Sequence, residues 1–216
     1  MKLILLRHAK TESNLQKRYL GLADEPLCAE GKAQALFNGV FPDVELVYSS
    51  TLVRCVQTAT LKFPNARIIL IPELREMDFG IFEGRSAAEM ESDLRYRAWV
   101  DGNCYGQCPG GEGRIEFSSR ICGAFLQIIT ENVARMKPYT IIVAHGGTIM
   151  SILERYGRPN LDYFARNPSH NGGFQCEVNT NELGIFKDLT DIAPITAFKM
   201  PQKQEDAQAA GTGGLK

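Results

Sequence analysis

Histidine and tryptophan are scarce in this chain of 216 residues, with three of the first and one of the second. An excess of charge of either sign is also lacking, since 24 Lys and Arg stand against 25 Asp and Glu. A net charge of −1 projects no long-range field. Nucleic acid and membrane surfaces are therefore not expected partners, and any anion recognition has to come from a local cluster. No apolar run approaches the roughly 18 residues of a membrane span. The apolar residues after Met1-Lys2 are too few for a signal peptide, so a cytoplasmic location is expected. There the six cysteines, Cys28, Cys55, Cys104, Cys108, Cys122 and Cys176, read as reduced thiols. Cys104 and Cys108 are spaced like half a metal site, but no second ligand pair with zinc spacing accompanies them. No metal is expected.

What is present is a core. Apolar residues make up 44%, enough for one medium domain. Strands are predicted at Lys2–Leu6, Glu45–Tyr48, Arg67–Ile71, Thr140–Ala144, Gly173–Val178 and Leu183–Leu189, most of them continuous apolar runs of the kind buried on both faces. Helices are predicted between them, at Glu30–Gly39, Thr51–Lys62, Ala87–Val100, Arg114–Met136 and Thr148–Tyr156. In the long one, Ile115, Ile121, Phe125, Ile129, Val133 and Met136 are spaced to share one face. This alternation predicts an α/β three-layer sandwich: a mostly parallel central sheet, helices on both faces and an antiparallel edge where two strands follow without a helix. The domain is expected to span residues 1–200. A cap-like insert at about 85–113 ends in the glycine-rich GNCYGQCPGGEG, and inserts of this kind usually cover a site. Residues 201–216 are polar and small and read as a disordered tail.

Two of the three histidines, His8 and His145, end the two most strand-like segments. Ligands of open α/β sheets bind beyond the carboxyl ends of parallel strands, so both would face one crevice. Arg7 precedes His8 and Asn14 follows it. The segment YSSTLVRCVQTA ends a strand and opens a helix carrying Arg54 in its first turns. Two guanidiniums, an amide, an imidazole and a helix N-terminus form a cradle for a tetrahedral oxyanion. ELREMDFGIFEG, Glu73 to Gly84, brings four acids, one of which could act as a general acid.

In this combination the chain resembles the histidine phosphatase superfamily, which includes the cofactor-dependent phosphoglycerate mutases. RHAKTESN resembles the family's RHGETxxN, and YSSTLVRCVQTA matches its S-x-x-x-R-x-x-x-T-A pattern. LGLADEPLCAEGKAQA, ELREMDFGIFEG, PGGEGRIEF and VAHGGT follow the remaining blocks in order. The resemblance implies that His8 is phosphorylated and that Glu76 donates the proton. It also implies that Arg7, Asn14, Arg54 and His145 bind the phosphoryl group and that Gly21 and Gly146 line the site. FGIFEG and the short length resemble the α-ribazole phosphatase and fructose-2,6-bisphosphatase-like branch. That implies a phosphomonoesterase without cofactor acting on a small metabolite such as α-ribazole 5′-phosphate. A phosphoglycerate mutase and a non-catalytic phosphoester-binding protein are the alternatives. Tyr96, Trp99 and Tyr105 of the insert would either hold a base-like leaving group or pack in the core. Ala9 and Lys10 depart from the family's Gly-Glu; alanine would be strained if position 9 needed positive φ. Cys28 replaces a Ser or Thr helix cap.

Overall fold

The computed structural model describes residues 1–37 and 39–195; the tail at 201–216 lies outside the described residues. Six strands form one sheet: β1 (Lys2–Arg7), β2 (Leu46–Ser50), β3 (Arg67–Ile71), β4 (Tyr139–Ala144), β5 (Gly173–Thr180) and β6 (Phe186–Pro194), in the order β3-β2-β4-β1-β5-β6. The four strands from β3 to β1 are parallel, and β5 runs against both β1 and β6. The predicted mostly parallel sheet with an antiparallel edge is what forms.

Side chains of the central strands alternate between two cores, as a period of two requires. Leu3, Leu5, Ile142 and Ala144 join the core built with α5 (Arg114–Ala134) and α6 (Gly146–Tyr156). Ile4, Leu6, Ile141 and Val143 pack with Cys55, Ala59 and Phe63 around α3 (Val53–Lys62) on the other face. The strands are apolar on both sides because both sides are covered. A short helix α1 (Glu12–Leu15), not predicted, follows His8, and α2 (Ala29–Phe37) packs beside α3.

Cys28 opens α2 after all: its thiol sulfur accepts from the Gly31 N–H at 3.3 Å, the bond a Ser or Thr cap would make. Two other expectations need correction. The helix predicted over Ala87–Val100 is broken into a 3-10 turn at Ala88–Met90 and α4 (Leu94–Asp101). Asp93 starts the second piece, accepting from Arg95 N at 3.0 Å and pairing with Arg95 and Arg85. A side chain that caps ends one helix by starting another. On α5, Ile121, Phe125 and Ile129 are fully buried, but Ile115 is 70% exposed and Met136, past the helix end with positive φ, is 88% exposed. The six positions do not share one buried face; Phe117, Ala124 and Ile128 complete it instead.

That assignment is testable by unfolding. Phe125→Ala should lose about 3–5 kcal/mol in urea titrations, and Ile115→Ala should stay within about 0.5 kcal/mol of the parent. Equal losses would contradict this orientation of α5.

Candidate active site

The edge formed by the carboxyl ends of β1 and β4 carries the site. These strands pair in parallel with Arg7 opposite Ala144, so the residues that follow, His8 and His145, emerge side by side. Their ring centroids are 5.2 Å apart, and both residues are buried. His8 Nδ1 lies 2.7 Å from the Ala9 carbonyl. A carbonyl only accepts, so Nδ1 carries the proton and Nε2 keeps its lone pair.

The motif S-x-x-x-R-x-x-x-T acquires a physical meaning here. Its serine closes β2, and its arginine and threonine lie one turn apart on α3. Ser50 Oγ sits 2.8 Å from His145 Nε2. In the first turn of α3, Arg54 is fully buried and donates to the carbonyls of Ala23 (2.8 Å) and Gly21 (2.7 Å). A further turn on, Thr58 Oγ1 accepts from Ala9 N at 3.0 Å and ties the His8 loop to α3. Arg7 donates from Nη1 to Pro168 O at 2.8 Å. The Nε atoms of Arg7 and Arg54 are both buried without a hydrogen-bond partner, and among the described residues no carboxylate lies within ion-pair distance of either guanidinium. Leaving such a donor unpaired costs about 1–3 kcal/mol or more, which an oxyanion would recover.

Of the four acids in the Glu73–Gly84 segment, only Glu76 is buried. Its Oε1 accepts from Met77 N and its Oε2 from Gly147 N, each at 3.1 Å. Glu83 holds Gly21 N and Ala23 N, and Asp78 holds Gly80 N. Glu76 makes no ion pair with Arg75, whose Nε donates to Pro72 O. Burial raises the Glu76 pKa, against the pull of its two N–H donors and of Arg7 and Arg54. The shift therefore exists without bound phosphate. His8 and His145 are held well below the ordinary imidazole value, by burial first and then by the charge of Arg54. Both rings are neutral at pH 7.

A family profile for the "Histidine phosphatase superfamily (branch 1)" matches residues 3–183. The chain belongs to that family. The adenosylcobalamin/alpha-ribazole phosphatase of Escherichia coli (strain K12) is 31% identical over 169 residues, 72% of this chain and 78% of its own. A probable phosphoglycerate mutase GpmB of Proteus mirabilis is 34% identical over 133 residues, 57% of this chain and 61% of its own. Among solved structures, the alpha-ribazole phosphatase of Shigella flexneri superposes with a TM-score of 0.76 at 27% identity, covering 94% of this chain and all of that one.

The remaining positions of this histidine phosphatase fall as follows. Asn14 spends its Oδ1 on Thr11 N at 3.1 Å, closing the cap of α1, and leaves its amide N–H free of that bond. Gly21 presents its carbonyl to Arg54, and a Cβ there would meet Met77 O at 2.0 Å. Gly146 begins α6, where a Cβ would lie 3.2 Å from Arg7 Cζ. Ala9 is not among the residues with positive φ, so the strain weighed for it does not arise. Lys10 turns to Glu30 at 2.6 Å.

Three site residues were not anticipated. Ser50 and Cys55 flank His145, with Cys55 Sγ 3.4 Å from Nε2. The third histidine, His170, stands 5.6 Å from the His8 ring. The loop before β5 is pinned by Arg7 N to Gly172 O (2.8 Å) and Asn171 N to His8 O (3.1 Å). An antiparallel strand begins at the edge where its parallel neighbours end, and that was the available signal.

His170 is pulled down to about 3, mainly by burial. The unfolded chain protonates its histidines near pH 6.5, and the folded one resists for all three. Stability present above pH 6.5 is therefore lost as pH falls toward the folded values, by up to about 1.4 kcal/mol per pH unit per histidine. Glu76, with its raised pKa, works in the opposite direction. Urea unfolding of His170→Asn between about pH 6 and pH 4 should show a slope shallower by up to that one-proton amount. Identical slopes would mean that His170 titrates normally.

Proposed function

We propose that this histidine phosphatase hydrolyses a small phosphomonoester through a phosphohistidine on His8, and that α-ribazole 5′-phosphate, after which the Escherichia coli and Shigella flexneri phosphatases are named, fits it best. The observation carrying this reading is the pair of bare, buried Nε–H groups of Arg7 and Arg54 around a neutral imidazole whose Nε2 is free.

In this mechanism Nε2 attacks phosphorus in line, the P–N bond forming as the ester P–O bond breaks. Charge on the equatorial oxygens is met by Arg7, Arg54, the Asn14 amide and the His145 nitrogen that Ser50 does not hold. Glu76, whose burial favours the protonated form, protonates the departing alkoxide. As a carboxylate it then takes a proton from water, which attacks phosphorus, releases inorganic phosphate and restores His8. Gly21 and Gly146 serve by leaving room.

The leaving group would occupy a cavity of about 220 Å³ lined by Arg7 and Glu76 together with Tyr19, Phe79, Trp99 and Phe164. Trp99 thus serves the cavity as well as the core. Tyr96 is packed on Phe82 and bonded to Tyr19, and Tyr105 lies outside that lining. The four rings of this chamber suit a flat, base-like leaving group. The insert at 85–113 contributes its wall through α4. Six free thiols, and no described helix long and apolar enough to cross a membrane, support a cytoplasmic location.

The reading is tested by making Glu76→Gln and varying the leaving group. Loss of a general acid typically costs about 10²–10⁴-fold, so kcat/KM for an alkyl phosphate should fall by that order. The p-nitrophenyl ester, whose leaving group needs no proton, should lose far less. Equal losses on both would reduce Glu76 to a positioning role.

A further inference from the structure

Arg114, the first residue of α5, takes no part in the steps above. It is 5% exposed, and its guanidinium lies against two rings, 3.9 Å from the centroid of Tyr163 and 4.6 Å from that of Tyr105. One terminal nitrogen, Nη2, donates to Glu154 Oε1 at 2.5 Å. The other, Nη1, is buried with no hydrogen-bond partner among the described residues. The side chain stands in the wall of the catalytic cavity with Arg7 and Glu76, and it also borders a neighbouring cavity of about 690 Å³. Its frame is the frame of the acid: Tyr163 donates its hydroxyl to Gly147 O at 3.3 Å, and Gly147 N donates to Glu76.

We propose that Arg114 Nη1 reads a neutral hydrogen-bond acceptor on the leaving group, so that the enzyme selects phosphate esters of flat, nucleoside-like alcohols. This rests on the phosphatase reading above. The rings of Tyr19, Phe79, Trp99 and Phe164 take the flat body, and a stacked guanidinium fork supplies a directed donor. The acceptor is neutral because Glu154 already balances the charge, and a second anion would meet that carboxylate. Tyr105, 54% exposed on a loop where Asn103 and Cys104 take positive φ, is the more exposed of the two rings against the guanidinium.

The test uses a benzimidazole ribonucleoside 5′-phosphate, phenyl phosphate and 3-phosphoglycerate as substrates. The free nucleoside serves as a ligand, read by quenching of Trp99, the sole tryptophan. In Arg114→Met, the ratio of kcat/KM for the nucleotide to that for phenyl phosphate should fall about 10–100-fold, the worth of one hydrogen bond to a charged donor. The Kd of the nucleoside should rise by a similar factor. Arg114→Lys keeps the charge without the fork and should move both quantities the same way, and it decides the matter if the Met variant does not fold. An unchanged ratio and an unchanged Kd overturn the proposal, as does a larger loss on 3-phosphoglycerate than on the nucleotide. If the parent enzyme hydrolyses no ester, the phosphatase reading fails, and the quenching experiment still decides the role of Arg114.

Discussion

Parallel pairing of β1 with β4 is the constraint on which the site depends. The register that sets Arg7 opposite Ala144 makes the next residue of each strand a histidine at the same sheet edge. His8 N then donates to Ala144 O at 3.0 Å, carrying the ladder one step past the strand. The apolar runs on both sides of the sheet hold this register, because a slip of one residue would exchange the two cores. The antiparallel docking of β5 on β1, with Gly173 beside Leu6, adds the loop that holds His170. A Cβ on Gly173 would meet Leu5 O at 1.9 Å, so that close approach requires glycine.

Around this edge the electrostatics are one-sided. Arg7 and Arg54 bring two permanent charges, and Glu76 is bonded to backbone N–H groups instead of to either arginine. Three histidines are kept neutral by burial and by those charges. The same arrangement supports the proposed nucleophile and the proposed cradle together: an imidazole beside two guanidiniums does not protonate, and guanidiniums without carboxylates suit an anion.

Much of this was legible in the sequence because apolar runs ending in a charged or histidine residue mark buried strands opening on a crevice. Five of the strands, the parallel order and the positions of His8, Arg54, His145 and Glu76 follow from that pattern and from the family motifs, whereas the strand expected at Leu183–Leu189 runs over Phe186–Pro194 because the Asn181 side chain holds Leu183 N and Ile185 N in the hairpin turn. His170 was not read, because it lies in a loop whose place is fixed by β5 pairing and not by local pattern. The break at Asp93 was missed because a cap inside an apolar period is weaker on paper than the period itself. Ile115 misled because helical spacing identifies a face without saying where the helix enters the core. The raised pKa of Glu76 depends on burial, which a sequence does not display.

The account stands most directly on His8 as the nucleophile. Turnover with ³²P-labelled substrate, quenched in denaturant, should leave label on the protein that is stable in base and lost in acid, as a phosphoramidate is, and His8→Ala should carry none. Label of the opposite lability, or label that persists in His8→Ala, would contradict it.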